Sequence, residues 1–489
     1  GYDRKELFPH SDVDLLFLHA EEEWDEASKI AEFILYMLWD LGIQVGQAVR
    51  TVDEALELAG QDATVSTNLL DARVVCGNRK LFQRFSSRFW EEVAHEGTIL
   101  SYVEAKLDER NLRHTRCGDS RYVLEPNIKD GKGGLRDLHT LYWLARYVYR
   151  VRRIRELVER GVLSQEEYRA YKRAQKFLGL VRTHLHLESG RAEERLTFDM
   201  QRVLAEKLGY HDRGNMLAVE RFMKAYFLTA KSVGNLTRVF CSVLEDERKH
   251  KRRVPFSGLF TGRHKLQGFV LEGGRVAVPD SDFFDEHPPR LISLFAVAQE
   301  HDLDIHPQTL RLVSRKLGLI DKAFRNNPEA NALFVDILTS PKQPDVALRR
   351  MNEAGVLGRF IRDFGRIVGQ MQFDTYHVYT VDEHTIFAIG ILSQIASGKH
   401  RDTFPLASRL IEQIASKRAL YLAVFCHDIS KGQGGDHSTL GERVARKLAK
   451  RFGFDPEEVE TAAWLVRLHL LFSHTAFKRD IAEDKTIAD

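Results

Sequence analysis

Over the first 120 residues, short apolar runs alternate with helical stripes. Val13 to Leu18 is a continuous apolar run that predicts a strand, and Val74 to Cys76 predicts a second. Between them, "WDEASKIAEFILYMLWDLG" repeats Ile30, Phe33, Ile34, Met37, Leu38 and Leu41 at helical spacing, which predicts an amphipathic helix. From about 135 to 250 the pattern is helical throughout. Ser164 and Glu167 form a capping-box pair at the start of one helix, whose apolar stripe is expected to run through Tyr168, Tyr171, Phe177 and Leu180. The interval 253–290 is the least helical, and "GFVLEGGRVAV" reads as a hairpin turning at Gly273 and Gly274, a small insert or joint. Helical periodicity returns after Pro289, and "TSPKQPD" marks a boundary near 335–345. The pattern predicts a multidomain, mainly α protein: an α/β domain over 1–120, a helical segment with its hairpin over 121–340, and an all-α domain over 341–489.

A length of 489 residues allows two to four domains, each with a core of its own. Lys and Arg total 72 against 70 Asp and Glu, so the overall balance does not call for a polyanionic partner, and a general nucleic-acid binder is not expected. "RKHKRR" (Arg248 to Arg253) reads as a solvated helix end or linker, with phosphate contact as the alternative. The cysteines Cys76, Cys117, Cys241 and Cys426 are too scattered for a disulfide framework or a CxxC metal site, which fits a reducing cytoplasm. No window approaches the roughly 18 apolar residues of a membrane span, and no apolar leader is visible. A start at Gly1 rather than Met, and an end at Asp489 soon after several histidines, suggest a piece of a longer chain.

"SDVDLLFL" raises the first chemical question. Residues i and i+2 of a strand share a face, so Asp12 and Asp14 direct their carboxylates to one point, where they repel unless a cation lies between them. Mg²⁺ with substrate phosphates suits such a pair, and the polar start of a strand is the plainer alternative. In its surroundings, "GYDRKELFPHSDVDLLFL" resembles the nucleotidyltransferase motif of the polymerase-beta superfamily, in the version found in bifunctional uridylyltransferase/uridylyl-removing enzymes of bacterial nitrogen control. Gly1, Tyr2, Arg4, Glu6, Leu7, Phe8, Pro9, Ser11, Asp12 and Asp14 carry the match, and Asp3 and Lys5 depart from it, where the pattern has glycines. An added carboxylate at Asp3 would repel a triphosphate that glycine amides could approach. The resemblance implies that Gly1 and Ser11 help bind nucleotide. It also implies a third carboxylate on a nearby strand, with Asp71 in "LLDARVVCG" preferred over Asp62; the plainer role for Asp71 is a surface pair with Arg73. The same resemblance continues in "EPNIKDGKGGLRD", where Lys129, Lys132 and Arg136 surround the turn of Gly131, Gly133 and Gly134. Lys129 and Arg136 are there expected to steady phosphates, with a simple helix entry as the alternative.

"LYLAVFCHDISKGQGGDHSTLG" raises the second question. It sets His427 beside Asp428 at the end of an apolar helix, an imidazole and a carboxylate suited to a divalent ion that activates water. Thr380 and Glu383 read as a capping box that puts His384 in the first turn of another helix, and His437, His469, His474 and Asp480 follow downstream. Helical metal sites draw ligands from several helices, as an H…HD…D order allows. That order resembles the HD phosphohydrolase superfamily, which implies metal ligation by His384, His427, Asp428 and Asp480. His437 and His469 are additional ligands or proton carriers, and His474 is incidental. Lys431 either balances phosphate charge or is an ordinary helix-end cation.

Both motifs, in this order and with a helical segment between them, are similar to the bifunctional nitrogen-control family over nearly the whole sequence. The resemblance implies an α/β nucleotidyltransferase domain, a helical linker bundle and an all-α HD domain. It implies Mg²⁺ at the first site and Mg²⁺ or Mn²⁺ at the second. It implies transfer of UMP from UTP to a tyrosine of the PII signal protein, with Asp71 assisting deprotonation, and hydrolytic removal at His427 and Asp428. Glutamine sensing in that family belongs to ACT domains, which this sequence does not contain. Two other readings stand beside it: an HD hydrolase whose first domain is an inactive binding or regulatory platform, and a tRNA nucleotidyltransferase with an HD domain, which would need a basic face.

Overall fold

The computed structural model describes residues 6–118, 121–251, 266–372 and 379–478. Helix makes up 64% of the structure, and the described residues form two small sheets. The chain forms two compact units that interleave in sequence. One holds the residues up to Gly209 together with Thr229–Phe240, and the other holds Tyr210–Leu228 together with the residues from Cys241 onward. These units divide the chain differently from the three segments expected above. A single helix, Ala218–Lys251, passes through both assignments.

In the first unit, β1 (Val13–His19) pairs in parallel with β2 (Val45–Thr51), from Val13 opposite Val45 to His19 opposite Thr51. The helix Trp24–Asp40 makes the crossover that parallel strands require. Its face toward the strands is Ala31 and Leu35, one turn apart and both buried, whereas Ile30, Phe33, Met37 and Leu41 are exposed. Of the expected stripe, Ile34 and Leu38 are half-buried beside that face, and the other four residues point outward. The second expected strand does not form. The helix Ala63–Leu70 ends at Asp71, and Asn78 already caps the next helix, Arg79–Arg88, through Lys80 N and Leu81 N. Too little chain remains to pair, and Val75 and Cys76 are exposed.

The rest of this unit packs around the helices Leu135–Tyr149 and Gln165–Ser189. The Ser164–Glu167 capping box forms as expected, Glu167 N donating to Ser164 Oγ at 3.1 Å and Ser164 N to the Glu167 carboxylate at 2.6 Å. The buried stripe behind it is Tyr171, Ala174, Leu178, Val181 and Leu185. Of the residues expected there, Tyr171 belongs to it, whereas Leu180 lies off that face and is exposed.

The second unit holds one continuous apolar core that runs from Phe269 to Val466. The predicted hairpin is present as β3 (Val270–Glu272) and β4 (Arg275–Ala277), turning at Gly273 and Gly274, whose φ angles of 57° and 77° suit a two-residue turn with both residues left-handed. It is part of the core rather than an insert, because Phe269 and Val276 are fully buried and β5 (Asp304–Ile305) extends it in parallel. Phe334, Phe360, Phe364, Phe425 and Phe452 interlock at the centre, with Phe364 and Phe425 stacked at 5.2 Å. This core fixes the helices Val381–Ala396, Lys417–Cys426, His437–Arg451 and Pro456–Arg467, whose ends carry the histidines. Among the described residues, no helix is long and apolar enough to cross a membrane.

Candidate functional site

Asp428 is the centre of the strongest cluster. The helix Lys417–Cys426 is anchored by buried Leu422, Phe425 and Cys426, and His427 and Asp428 follow directly at its end. Four imidazoles turn Nε2 toward this one carboxylate. His427 lies 3.2 Å and His384 3.8 Å from Oδ2, and His469 lies 3.8 Å and His437 3.9 Å from Oδ1. His384 comes from the first turn of Val381–Ala396. His437 opens a helix capped by Asp436, and His469 lies just beyond Pro456–Arg467.

Two of the rings are oriented by backbone carbonyls. His427 Nδ1 lies 2.7 Å from Val424 O and His469 Nδ1 lies 2.7 Å from Val466 O; a proton donated along each bond turns Nε2 toward Asp428. His437 Nε2 and His469 Nε2 are buried and have no hydrogen-bond partner in the protein. Burial pushes both imidazoles below their ordinary pKa, against the pull of Asp428. Burial alone would raise Asp428, but His427 and Lys431 hold its carboxyl well below the usual range, with Lys431 Nζ 2.7 Å from Oδ2. Buried, partnerless nitrogen lone pairs around an ionised carboxylate are the donor set that a divalent transition ion takes. His384, His427 and Asp428 lie close enough together to hold one ion, and Asp428, His437 and His469 form a second such group that shares the carboxylate.

Of the residues expected here, His384, His427 and Asp428 come together, and His437 and His469 complete the second group. Asp480 and the whole of 479–489 lie outside the described residues. His474 is exposed. The expected Thr380–Glu383 capping box does not form. Thr380 Oγ1 is buried without a partner, and Glu383 turns instead to Arg349 Nε at 3.1 Å. Burial pushes the Glu383 carboxyl up to about 7 despite that arginine.

In the first unit, Asp12 and Asp14 are exposed at the start of β1, one residue apart on one face. Partial burial, and after it the charge of Asp12, raise the pKa of Asp14. The turn before them is tied down locally. Phe8 N donates to Ser11 Oγ at 3.1 Å and Ser11 N to Phe8 O at 3.0 Å, so the Ser11 hydroxyl expected to meet nucleotide serves the turn. Phe8 lies beneath Arg182, 4.4 Å from the ring centre, and His186 Nδ1 bonds Pro9 O. Gly1 and the departures Asp3 and Lys5 lie outside the described residues. Asp71 sits at the end of a helix rather than on a strand. Its carboxylate accepts from Tyr142 Oη at 3.2 Å and lies 3.9 Å from Arg146. Asp62 caps the same helix through Thr64 N.

The glycine-rich turn is built around Asp137, which opens Leu135–Tyr149. Its buried carboxylate accepts from His114 Nε2 at 2.9 Å and Gly133 N at 2.8 Å, and it pairs with Arg113. Gly133, at φ 87°, is pressed against Ala230, where a β-carbon would meet the backbone carbonyl at 2.5 Å. Lys129 faces Glu194 at 3.6 Å and Arg136 faces Asp130 at 3.4 Å, so both expected phosphate contacts lie beside carboxylates of the protein. Glu194 also takes Arg182 and lies 3.6 Å from His186. Through these residues the Lys129 loop and the Pro9 turn share one polar cluster. Sequence reasoning missed Arg182, His186 and Glu194, because single polar residues on an otherwise ordinary helix and loop carry no local signal.

Three known families match separate stretches of the chain. Residues 101–241 match the family described as GlnD PII-uridylyltransferase, residues 269–360 the uridylyltransferase GlnD third domain, and residues 381–489 the HD domain. Over its whole length the chain is 54% identical to a protein of Rhodospirillum rubrum, 53% to one of Novosphingobium aromaticivorans and 52% to one of Azospirillum brasilense. Each is named bifunctional uridylyltransferase/uridylyl-removing enzyme, and the chain covers 52%, 54% and 52% of them respectively. It thus spans about half the length of the curated relatives it matches.

Proposed function

Because the chain belongs to the family of bifunctional uridylyltransferase/uridylyl-removing enzymes, we propose that its Asp428 centre hydrolyses the uridylyl–tyrosine bond of a PII-type protein and that Asp12 and Asp14 carry the opposing transfer from UTP. The observation that carries this is the convergence of four Nε2 atoms on Asp428, with two of the rings tied by Nδ1 to backbone carbonyls.

His384, His427, Asp428, His437 and His469 hold the divalent ion of the hydrolytic site, Mn²⁺ or Mg²⁺, with Asp480 as a further candidate. An ion bound there supplies the Lewis acidity that makes water nucleophilic near neutral pH. Lys431, buried beside Asp428, places positive charge where phosphoryl oxygens enter. The imidazoles with lowered pKa remain neutral at working pH and are therefore available as ligands.

At the transfer site Asp12 and Asp14 would hold Mg²⁺ with the UTP phosphates, and an ion bound there would offset the negative charge of the nucleotide as the tyrosine oxygen displaces pyrophosphate. Asp71 is the third carboxylate, oriented by Tyr142 and Arg146. Lys129 and Arg136 remain candidates for phosphate, each by exchanging its present carboxylate. The scattered cysteines Cys76, Cys117 and Cys426 form no disulfide, in keeping with a cytoplasmic location.

The test is intact-mass analysis of a PII-type protein incubated with the chain. With UTP and Mg²⁺ the parent should add a uridylyl group, and an Asp12→Ala/Asp14→Ala variant should not. With uridylylated PII and Mn²⁺ the parent should remove the group, and Asp428→Ala should be slower by at least about 100-fold. Unchanged removal by Asp428→Ala would refute the hydrolytic assignment.

A further inference from the structure

Gly46 is the second residue of β2 and lies directly opposite Asp14 in the parallel pairing. Its backbone is ordinary strand and has no positive φ, so no turn or strain requires glycine there. Glycine inside a strand weakens it and commonly marks a close approach by something else. Here the approaching group is the Asp14 carboxylate. A β-carbon built on Gly46 would stand 2.5 Å from Asp14 Oδ1 and 3.7 Å from its Cγ, with no other atom within 4 Å.

We propose that Gly46 is a positioning residue for the paired-carboxylate site: the side chain missing from β2 is the space in which the Asp14 carboxylate lies, which keeps it on the face it shares with Asp12. The inference rests on the transfer reading of that pair. A methyl group at position 46 meets only the free end of an exposed side chain, so Asp14 can rotate away at little cost to the fold. The same rotation takes one of the two oxygen donors away from the cation. Stability and metal affinity should therefore separate at this residue.

The experiment titrates Mn²⁺ into the full chain, followed by the loss of its free-ion paramagnetic resonance signal. The Asp428 centre is silenced throughout by His427→Ala/Asp428→Ala. In that background, Gly46→Ala should weaken Mn²⁺ binding by about 10-fold or more, the scale on which misplaced ligands act. Gly60→Ala, where an added β-carbon meets nothing within 4 Å, should leave it unchanged. Adding Gly46→Ala to Asp14→Ala should cost nothing further, because its effect passes through that carboxylate. Thermal midpoints of the parent and Gly46→Ala should agree within about 2 °C. Parent-like affinity in Gly46→Ala, additive losses in the double variant, or a collapsed thermal midpoint would each overturn the proposal. If Asp14→Ala binds Mn²⁺ as tightly as the parent, the metal-binding reading of the pair fails and takes this proposal with it.

Discussion

At Asp137 a carboxylate with only 2% of its side chain exposed is surrounded by Arg113, His114 and the amide of Gly133. Burial alone would raise its pKa, but His114 and Arg113 outweigh that and lower it. A lowered folded-state value means that the stabilisation is complete above the unfolded pKa of about 4 and is lost as pH falls through the folded value. Asp137→Asn should therefore cost about 3–5 kcal/mol in urea unfolding at pH 7, since it leaves the Arg113 charge uncompensated. The deficit should shrink steadily below pH 4, and a deficit equal at pH 7 and pH 3 would contradict the ionic account. Asp428 is nearly as deeply buried, but the unpartnered nitrogens beside it belong to the imidazoles of His437 and His469, whose lone pairs can take a cation, whereas the one beside Asp137 is Arg113 Nη1, a donor that cannot. The two aspartates look alike in sequence, each beside glycine-rich turns, and the structure separates them by what their neighbours still lack.

Among the elements, two glycines give the same distance and opposite consequences. A β-carbon on Gly365 would stand 2.5 Å from the Gly358 carbonyl oxygen, so the short helices Val356–Phe360 and Arg362–Ile367 touch backbone to backbone. Backbone cannot rotate away as a carboxylate can. Gly365→Ala should destabilise the protein by about 1–3 kcal/mol, measured by chemical denaturation, as overpacked cores do. The strand β1, the helix opened by Ser164 and the hairpin at Gly273 and Gly274 were legible because each carries its own local signal. The stripe on Trp24–Asp40 was not, since that helix has apolar residues on opposite sides and periodicity alone does not choose between Leu35 and Phe33. Nor was the fate of Thr380, where Arg349 competes for Glu383 from a distant part of the chain.

At the scale of the whole molecule, the two candidate sites fall in different compact units. Asp12→Ala/Asp14→Ala should therefore abolish transfer while hydrolysis persists, and His427→Ala/Asp428→Ala should do the reverse; loss of both activities from either variant would contradict independent sites. Metal removal offers a parallel check. Mn²⁺ at a hundredfold excess over its Kd should stabilise the second unit by about 2.7 kcal/mol, a gain reversed by EDTA and missing from Asp428→Ala in thermal melts. The H…HD order made His384, His427 and Asp428 legible as a group, whereas the roles of His437 and His469 needed the packing that turns their Nε2 atoms inward. The interleaving of the units has a consequence for heredity. The first unit takes back Thr229–Phe240 after the chain has left it at Gly209, and buried Ala230, Val233, Leu236 and Phe240 lie in that returning stretch. A gene broken at Gly209 would strand them on the wrong product and leave the Gly133 turn without its Ala230 neighbour. No single cut hands each daughter gene a whole unit, so the two halves are set to be inherited, duplicated and lost together.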